Sequence, residues 1–230
     1  MNAIWEPDAP RSLRDAGARE ARRRLLTEPH VRPLKEYVEG LRARSPAEFP
    51  DFDPLDGGVE ARLLFLMEKP GPMTSAERIG REGSGFISRD NDDPTAQAVF
   101  NFMREAGIPR RETVLWNLIP GWNGERKVTG PEMKAGVQET LRLMPLLPRL
   151  RGVVFVGAKA ERARRHLEAT RLSLHGSAHP SPIMRAFRED DWNLIPVRWR
   201  AAYEAIQGLW AASRLRPRAL QAAGPPGSSS

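Results

Sequence analysis

The sequence predicts an α/β protein with three layers, α/β/α, built around a central four-stranded, mainly parallel sheet. Four apolar runs have the length and composition of buried strands, and amphipathic helical patterns separate them. Strands that alternate with helices form right-handed crossovers, so the carboxyl ends of the strands come to one edge of the sheet. Loops rich in proline, glycine and polar residues follow three of these runs. Because open α/β sheets bind ligands at that edge, we expect the functional site there.

The strands and helices are placed by the apolar runs and their periodicity. The strands are predicted at residues 61–67, 113–119, 152–158 and 172–178. The helices are predicted at residues 94–106, 131–147, 159–169 and 197–212. Residues 10–44 are arginine-rich with a helical pattern, and we expect them to pack as an outer layer. Residues 45–58, with several prolines and glycines, form a linker or an ordered loop.

This pattern divides the chain into three segments. A helical extension and loop is expected over residues 1–58, and the α/β domain over residues 59–213. Residues 214–230 are dominated by proline, glycine, alanine and serine, which cannot bury enough apolar surface to fold. We therefore expect a disordered tail there.

The composition narrows the class of protein and of partner. Lysine and arginine outnumber aspartate and glutamate by 36 to 29, which gives a formal net charge of +7 and favours a polyanionic partner. The chain has no cysteine, which excludes disulfides, thiolate zinc sites and a cysteine-ligated iron–sulfur cluster. It shows no apolar run long enough to cross a membrane and no signal-peptide pattern, so we expect a cytoplasmic protein.

The segment Ala178-His179-Pro180-Ser181-Pro182-Ile183 is the most specific signal in the sequence. Each proline fixes its φ near about −65° and removes a backbone donor, so His179 lies on a stiff loop after the fourth strand. An imidazole at that place can donate a hydrogen bond to an oxygen on which negative charge develops. The simpler alternative is a solvated or capping histidine without a role in chemistry.

Three further segments supply complementary chemistry. Glu68-Lys69-Pro70-Gly71-Pro72 follows the first strand, Asn117 lies near the end of the second, and Phe86 lies among small residues. Glu68 can orient a water, and Phe86 offers a face on which a base can stack. The amide of Asn117 carries both donors and an acceptor, which match the edge of uracil. Each residue alone has a structural alternative: an ion pair for Glu68, a loop hydrogen bond for Asn117 and core packing for Phe86.

With these motifs in this order, the chain resembles the uracil-DNA glycosylase superfamily over residues 63–185. Met67-Glu68-Lys69-Pro70-Gly71-Pro72 is similar to the motif in which a strand ends in a water-activating polar residue before Pro-Gly. Gly85-Phe86-Ile87 is similar to the segment of the stacking phenylalanine. Leu115-Trp116-Asn117 is similar to the strand that ends in the uracil-reading asparagine. His179-Pro180-Ser181-Pro182-Ile183 is similar to the motif whose histidine stabilises the departing base.

The resemblance implies a monofunctional uracil-DNA glycosylase, which flips uracil out of DNA and hydrolyses the N-glycosidic bond to leave an abasic site. It implies catalytic roles for Glu68 and His179. The implied substrate-binding residues are Lys69, Pro70, Gly71, Phe86, Asn117 and Ser181, and the implied DNA-intercalating residues are Ile183, Met184 and Arg185. The expected partner is uracil-containing DNA, single- or double-stranded. We expect a monomer with no cofactor, metal or iron–sulfur cluster.

Two departures from the family pattern leave alternatives open. Glu68 matches the iron–sulfur branch, but the chain lacks the cysteines of that branch and resembles a cluster-free one. The carboxylate that orients water is therefore Glu68 or a substitute after Phe86, and the substitutes considered are Asp90, Asn91, Asp92 and Asp93. Lys69 stands where some relatives carry Asp or Asn. Its amine is a candidate for a Schiff base with the sugar, or for a solvated or phosphate-binding group.

Other functions also fit these residues. The pocket could take another lesion, such as hypoxanthine, xanthine or thymine opposite guanine. The chain could instead bind uracil-containing or abasic DNA without turnover, or act on free nucleotides. Excision assays across these substrates separate the alternatives.

Overall fold

The computed structural model describes residues 9–75 and 82–214, with residues 209–214 as backbone. Within these residues the strands are β1 (Asp51–Phe52), β2 (Leu63–Met67), β3 (Phe86–Ile87), β4 (Thr113–Asn117), β5 (Gly152–Val156) and β6 (Ser173–Ser177). The α-helices are α1 (Ala16–Arg24), α2 (Arg32–Arg42), α3 (Pro94–Glu105), α4 (Gly130–Leu143), α5 (Ala158–Glu161), α6 (Pro182–Phe187), α7 (Glu189–Asn193) and α8 (Ile195–Arg214). The predicted disordered tail beyond Arg214 lies outside the described residues.

The central sheet has the strand order β4-β2-β5-β6, and every neighbouring pair is parallel. This confirms the predicted four-stranded parallel sheet. The register places Met67 of β2 opposite Asn117 of β4, so the loops after these two strands begin side by side. A second, two-stranded parallel sheet joins β1 to β3, with Asp51 opposite Phe86. The sequence did not predict it, because two-residue strands carry no periodicity.

The two faces of the sheet bury different aromatic side chains. Side chains alternate between faces along a strand, so Phe65 of β2 and Trp116 of β4 point to opposite faces in the observed register. Phe65 packs edge-on against Trp199 of α8, with ring centroids 4.8 Å apart. Trp116 stacks on Phe52 of β1 at 3.8 Å and meets Tyr37 of α2 edge-on at 6.2 Å. Helices therefore cover both faces, which confirms the three-layer architecture.

Side chains cap the helices that lead away from the site edge. Asp93 precedes α3 and accepts the backbone N–H of Ala96 at 2.9 Å. Thr129 and Glu132 form a reciprocal capping box at the start of α4. These contacts satisfy N–H groups that have no partner inside the helix, and they fix where the preceding loops end.

The helix predicted over residues 159–169 is wrong beyond its first turn. The helix α5 ends at Glu161, and a 3-10 turn over Arg164–His166 follows. The guanidinium of Arg164 donates to the carbonyl of Leu174 in β6 at 3.0 Å and also pairs with Glu161. Arg164 thus contacts β6 from a 3-10 turn and not from a continuous helix.

The N-terminal segment contributes side chains to the core. Leu34 and Val38 of α2 are fully buried, in the same apolar cluster as Leu64 of β2. The stretch 45–58 is ordered, because it contains β1 and carries buried charge. Residues 10–44, which were predicted to form an outer layer, therefore pack into the same apolar core as the α/β domain.

A buried ion cluster joins four parts of the chain; its members are Arg22, Asp53, Asp56, Asp90 and Arg110. Arg22 of α1 contacts Asp53 and Asp90 at 2.6 Å each. Arg110, before β4, contacts Asp53 at 2.6 Å, Asp90 at 2.8 Å and Asp56 at 2.9 Å. Because Asp90 belongs to the loop after β3, the cluster fastens that loop to α1 and to the start of β4.

The carboxylates of this cluster differ in their affinity for protons. Burial alone would raise the pKa of Asp53, but Arg110 and Arg22 lower it to about 2. Burial raises the pKa of Asp56 to about 7, and the neighbouring charge of Asp53 adds to the rise. The Oδ2 atom of Asp56 is buried without a hydrogen-bond partner among the described residues, which is the place for that proton. The cluster thus encloses more carboxyl groups than it keeps ionised.

Candidate active site

A cavity of about 610 Å³ opens at the carboxyl edge of the sheet. Its volume falls within the range of about 300–1,000 Å³ that is usual for small-molecule sites. The residues described as lining it come from five segments: Met67 and Lys69–Thr74 after β2; Ile87, Ser88, Asn91–Ala96 and Val99 around the start of α3; Leu115 and Asn117 of β4; Arg126; and His179 with Pro182. The loops that sequence analysis placed at one edge therefore share one cavity.

Asn117 and His179 both line this cavity. Asn117 ends β4 and is only 5% exposed. Among the described contacts, neither the amide of Asn117 nor the imidazole of His179 has a hydrogen-bond partner. Both side chains are therefore available to a ligand in the cavity.

The loop after β6 holds His179 through its own backbone. The N–H of Ser181 donates to the carbonyl of His179 at 2.8 Å. The hydroxyl of Ser181 accepts the N–H of Met184 at 3.3 Å and so caps α6. Burial lowers the pKa of His179, and Lys159 lowers it further, whereas Glu68 and Asp93 oppose the change. At neutral pH the imidazole is therefore neutral, with one N–H to donate.

Glu68 lies beside His179 but is not among the residues that line the cavity. Its Oε2 pairs with the ammonium of Lys159 at 3.1 Å. A Cβ on Gly157 would stand 2.8 Å from Oε1 of Glu68 and 3.2 Å from Cβ of His179, and Gly157 has a φ of +97°. Glycine is therefore required there twice, for the backbone conformation and for the close approach. Sequence analysis missed Gly157, although a glycine directly after a strand was a visible signal.

The four residues considered as substitutes for Glu68 have separate environments. Asp90 belongs to the buried ion cluster, and Asp92 pairs with Arg11 at 3.1 Å. The amide nitrogen of Asn91 donates to the carbonyl of Phe86 at 2.9 Å. Asp93 lines the cavity and forms no ion pair with a described residue.

Asp93 lines the cavity, and its negative charge raises the pKa of His179. Burial raises the pKa of Asp93 itself, and the backbone N–H groups of Ala96 and Thr95 oppose that rise. A carboxylate has about four lone-pair sites, so its bond to Ala96 leaves room for a water. The structure thus brings His179 and Asp93, rather than His179 and Glu68, to the same cavity.

Phe86 does not line the described cavity. Phe86 belongs to the short β1–β3 sheet and is 1% exposed. Its backbone carbonyl accepts a hydrogen bond from the side-chain amide of Asn91. Its strand neighbour Ile87 lines the cavity, and so does Ser88. The side chain that β3 contributes to the described lining is therefore aliphatic.

Lys69, Pro70 and Gly71, which were predicted to bind the substrate, line the cavity. The ammonium of Lys69, however, forms hydrogen bonds with other residues of the protein. It donates to Glu132 at 2.7 Å, to Asn123 at 2.9 Å and to the carbonyl of Lys127 at 3.3 Å. The hydrogen bond from Lys69 lowers the pKa of Glu132 to about 2. These three acceptors engage the three N–H groups of the ammonium in this arrangement. Lys69 instead fastens the loop after β2 to the start of α4.

The three predicted DNA-intercalating residues lie on α6, which begins at the cavity. Ile183 is 73% exposed, Arg185 is exposed and Met184 is half-buried. Ser181 is not among the lining residues, but the adjacent Pro182 is. Arg126, which sequence analysis did not single out, is an exposed residue that also lines the cavity. Its signal was a basic pair, Arg126 and Lys127, in the loop between β4 and α4.

The described residues hold no group of three or more His, Asp or Glu side chains suited to a metal ion. None of the helices described is long and apolar enough to cross a bilayer. The side chains that meet in the cavity are an imidazole, an amide and a carboxyl group. Such groups bind and orient a ligand by hydrogen bonding and proton transfer.

A family model of the uracil DNA glycosylase superfamily matches residues 54–202, more than half of the 230-residue chain. The protein belongs to this superfamily, as the order of the motifs predicted. The matched segment includes every residue described as lining the cavity. No curated protein matches the chain. Membership indicates a DNA glycosylase that works in base excision repair and binds DNA.

Proposed function

We propose that this protein excises uracil from DNA by hydrolysing the N-glycosidic bond, which leaves an abasic site. The observation that carries the proposal is that Asn117 and His179 line the same cavity, each with polar atoms that have no described hydrogen-bond partner. The base must leave the duplex stack to enter this cavity, and extrusion costs about a few kcal/mol, least for an unpaired base.

Asn117 reads the base in this proposal. Its amide oxygen accepts the N3–H of uracil, and its amide nitrogen donates to the O4 carbonyl. Cytosine presents an acceptor at N3 and a donor at N4, so the same amide orientation opposes it. Ile87 and Val99, which line the same cavity, supply apolar contact to the ring.

His179 stabilises the leaving group. As the bond between C1′ of the sugar and N1 of uracil breaks, the electron pair moves to the ring and negative charge develops on O2. The neutral imidazole donates its N–H to that oxygen. A fixed donor of this kind contributes about 10²–10³ in rate.

Asp93 orients the water in this proposal, and Glu68 positions His179. The oxygen of the water forms the new bond to C1′, and the carboxylate of Asp93 accepts its proton. The uracil anion later takes a proton from solvent. Position favours Asp93, because it lines the cavity, whereas Glu68 is not among the lining residues and pairs with Lys159.

Excision assays with matched variants test the proposal. Oligonucleotides that carry uracil, hypoxanthine, xanthine or thymine opposite guanine are incubated with the protein and then cleaved by alkali at abasic sites. We expect release of uracil before the other bases. Binding without cleavage would favour a non-catalytic binder, and activity on free nucleotides alone would favour a nucleotide enzyme.

The two carboxylates are separated by Asp93→Asn and Glu68→Gln. Asparagine is an N-cap as good as aspartate, so Asp93→Asn keeps α3 capped and removes only the charge. We expect Asp93→Asn to lower the excision rate by about 10²-fold or more, as general bases typically contribute. Glu68→Gln should cost less. A larger loss in Glu68→Gln would return the catalytic role to Glu68.

A further inference from the structure

The large exposed apolar side chains of the described residues are concentrated in the segment that follows the cavity-lining Pro182. Among the described residues, five large apolar side chains are exposed, and four of them lie between Ile183 and Val197. Phe187 has the highest exposure of these, 79%, and Ile183 follows with 73%. Large exposed apolar groups in a cluster mark a binding surface rather than random exposure.

Ile183 and Phe187 form what we call the α6 ridge. They are four residues apart on α6, and residues at this spacing lie on one face of a helix with Cβ atoms about 5–6 Å apart. No described ring or cation packs on Phe187. The helix begins at Pro182, which lines the cavity, so the ridge follows directly after a residue of the cavity wall.

The charges around the ridge limit what can cover Phe187. Arg185 lies between the two ridge residues in sequence, with its guanidinium 5.9 Å from the ring centre of Trp192. Beyond Phe187, α7 opens with Glu189, Asp190 and Asp191, of which Asp191 pairs with Arg188 at 2.7 Å. The carboxylates of Glu189 and Asp190 disfavour a phosphate beside α7, whereas Arg185 favours one beside α6. The partner group that suits Phe187 is therefore a neutral face, namely that of a base.

We infer that Phe187 stacks on an unpaired base near the extruded nucleotide, and that this protein acts on single-stranded or locally unpaired DNA in preference to intact duplex. The inference rests on the proposed glycosylase function. A base inside a duplex is already stacked on both faces, so Phe187 could reach it only by further unstacking. A base in a single strand offers its face directly, and every base has one.

Phe187→Ala tests this inference on matched single-stranded and duplex oligonucleotides of one sequence with a single uracil. One stacking contact contributes about 1–3 kcal/mol, so KM for the single strand should rise about 5- to 150-fold. The value of kcat at saturation should stay unchanged, because Phe187 does not touch the reacting atoms. The KM for duplex should change by a smaller factor.

Two control variants keep the test specific. Phe187→Trp retains an aromatic face and should restore binding of the single strand. Val197→Ala removes an apolar group that is 57% exposed on α8 and should leave both substrates unaffected. An equal rise of KM on both substrates, or no change on either, would overturn the inference. Sedimentation that shows a dimer lost in Phe187→Ala would also overturn it, by assigning the ridge to a second copy of the chain.

A direct binding measurement separates this inference from the proposed function. A 2-aminopurine placed next to uracil in a single strand is quenched when an aromatic ring stacks on it. Quenching that needs Phe187, without release of uracil, would support the ridge and refute the glycosylase proposal. If uracil is released but 2-aminopurine fluorescence is identical in Phe187→Ala and the parent, the result would support the glycosylase proposal and refute the stacking role of Phe187.

Discussion

The two sides of the cavity are built in opposite ways. On the inner side, the loop of residues 88–93 is fastened by the buried ion cluster, in which Asp53 and Asp90 are fully enclosed. On the outer side, α6 has no buried residue and carries Phe187 with 79% of its surface exposed. The comparison suggests a division of labour. The inner side fixes the groups that read and cleave, and the outer side presents an adaptable surface to DNA.

Substitution inside the ion cluster should have the largest effect on stability. Asp53→Asn leaves Arg22 and Arg110 with only one of the two carboxylates they share, and breaking a buried ion pair typically costs about 3–5 kcal/mol. Urea denaturation measures this loss in the free energy of unfolding. Phe187→Ala, on the exposed side, should change the same free energy by less than about 0.5 kcal/mol.

Asp56 supplies the matched control within the cluster. With its pKa raised by burial to about 7, Asp56 is largely protonated in the folded protein below that pH. An amide resembles a protonated carboxyl, so at pH 6 Asp56→Asn should destabilise the protein much less than Asp53→Asn. Equal losses for the two variants would contradict the assignment of the proton to Asp56.

His179→Ala and Phe187→Ala should divide the kinetics between the two sides. Removing His179 takes away a donor to the developing charge, so kcat should fall about 10²–10³-fold. Binding of DNA should persist, because the α6 ridge is intact. Single-turnover excision and anisotropy titrations measure the two quantities. If His179→Ala lost as much DNA affinity as excision rate, catalysis and DNA binding would not be separated between the two sides of the cavity.

The pH profile should change more modestly. Burial raises the pKa of Asp93 and lowers that of His179. The active forms are the carboxylate of Asp93 and the neutral imidazole, and both are lost as the pH falls. We therefore expect excision to decline below neutral pH and to stay level above it. In Asp93→Asn the residual rate should follow His179 alone. Because the charge of Asp93 raises the pKa of His179, its removal should move the decline of the rate to lower pH than in the parent. An unchanged profile would remove Asp93 from the chemistry.

The sequence predicted those parts of the molecule that depend on local pattern. The four strands of the central sheet were placed to within two residues, since long apolar runs identify buried strands. Asn117 and His179 were placed together, because the topology of a parallel sheet brings strand ends to one edge. These positions follow from chain order and handedness, without knowledge of side-chain contacts.

The remaining features depend on packing between distant segments. The ion cluster joins Arg22 to Asp90 across 68 positions, which no local pattern reveals. The direction of Phe86 was set by its pairing in a two-residue strand, and the place of Glu68 by its bond to Lys159. Lys69 was recognised from sequence as an unusual residue. Its contacts could not be predicted, because its three acceptors lie more than 50 positions away, within residues 123–132. Sequence pattern identified the edge of the site, and tertiary contacts decided which side chains face it.

The central claim is that Asn117 reads a base extruded into the cavity that it shares with His179. The ratio of uracil release to cytosine release in Asn117→Asp measures this most directly. A carboxylate accepts hydrogen bonds but cannot donate to O4 of uracil, and it can accept from the amino group of cytosine. We expect the ratio to fall by about 10-fold or more, since one such buried hydrogen bond is worth about 1–3 kcal/mol. A ratio equal to that of the parent protein would show that Asn117 does not read the base.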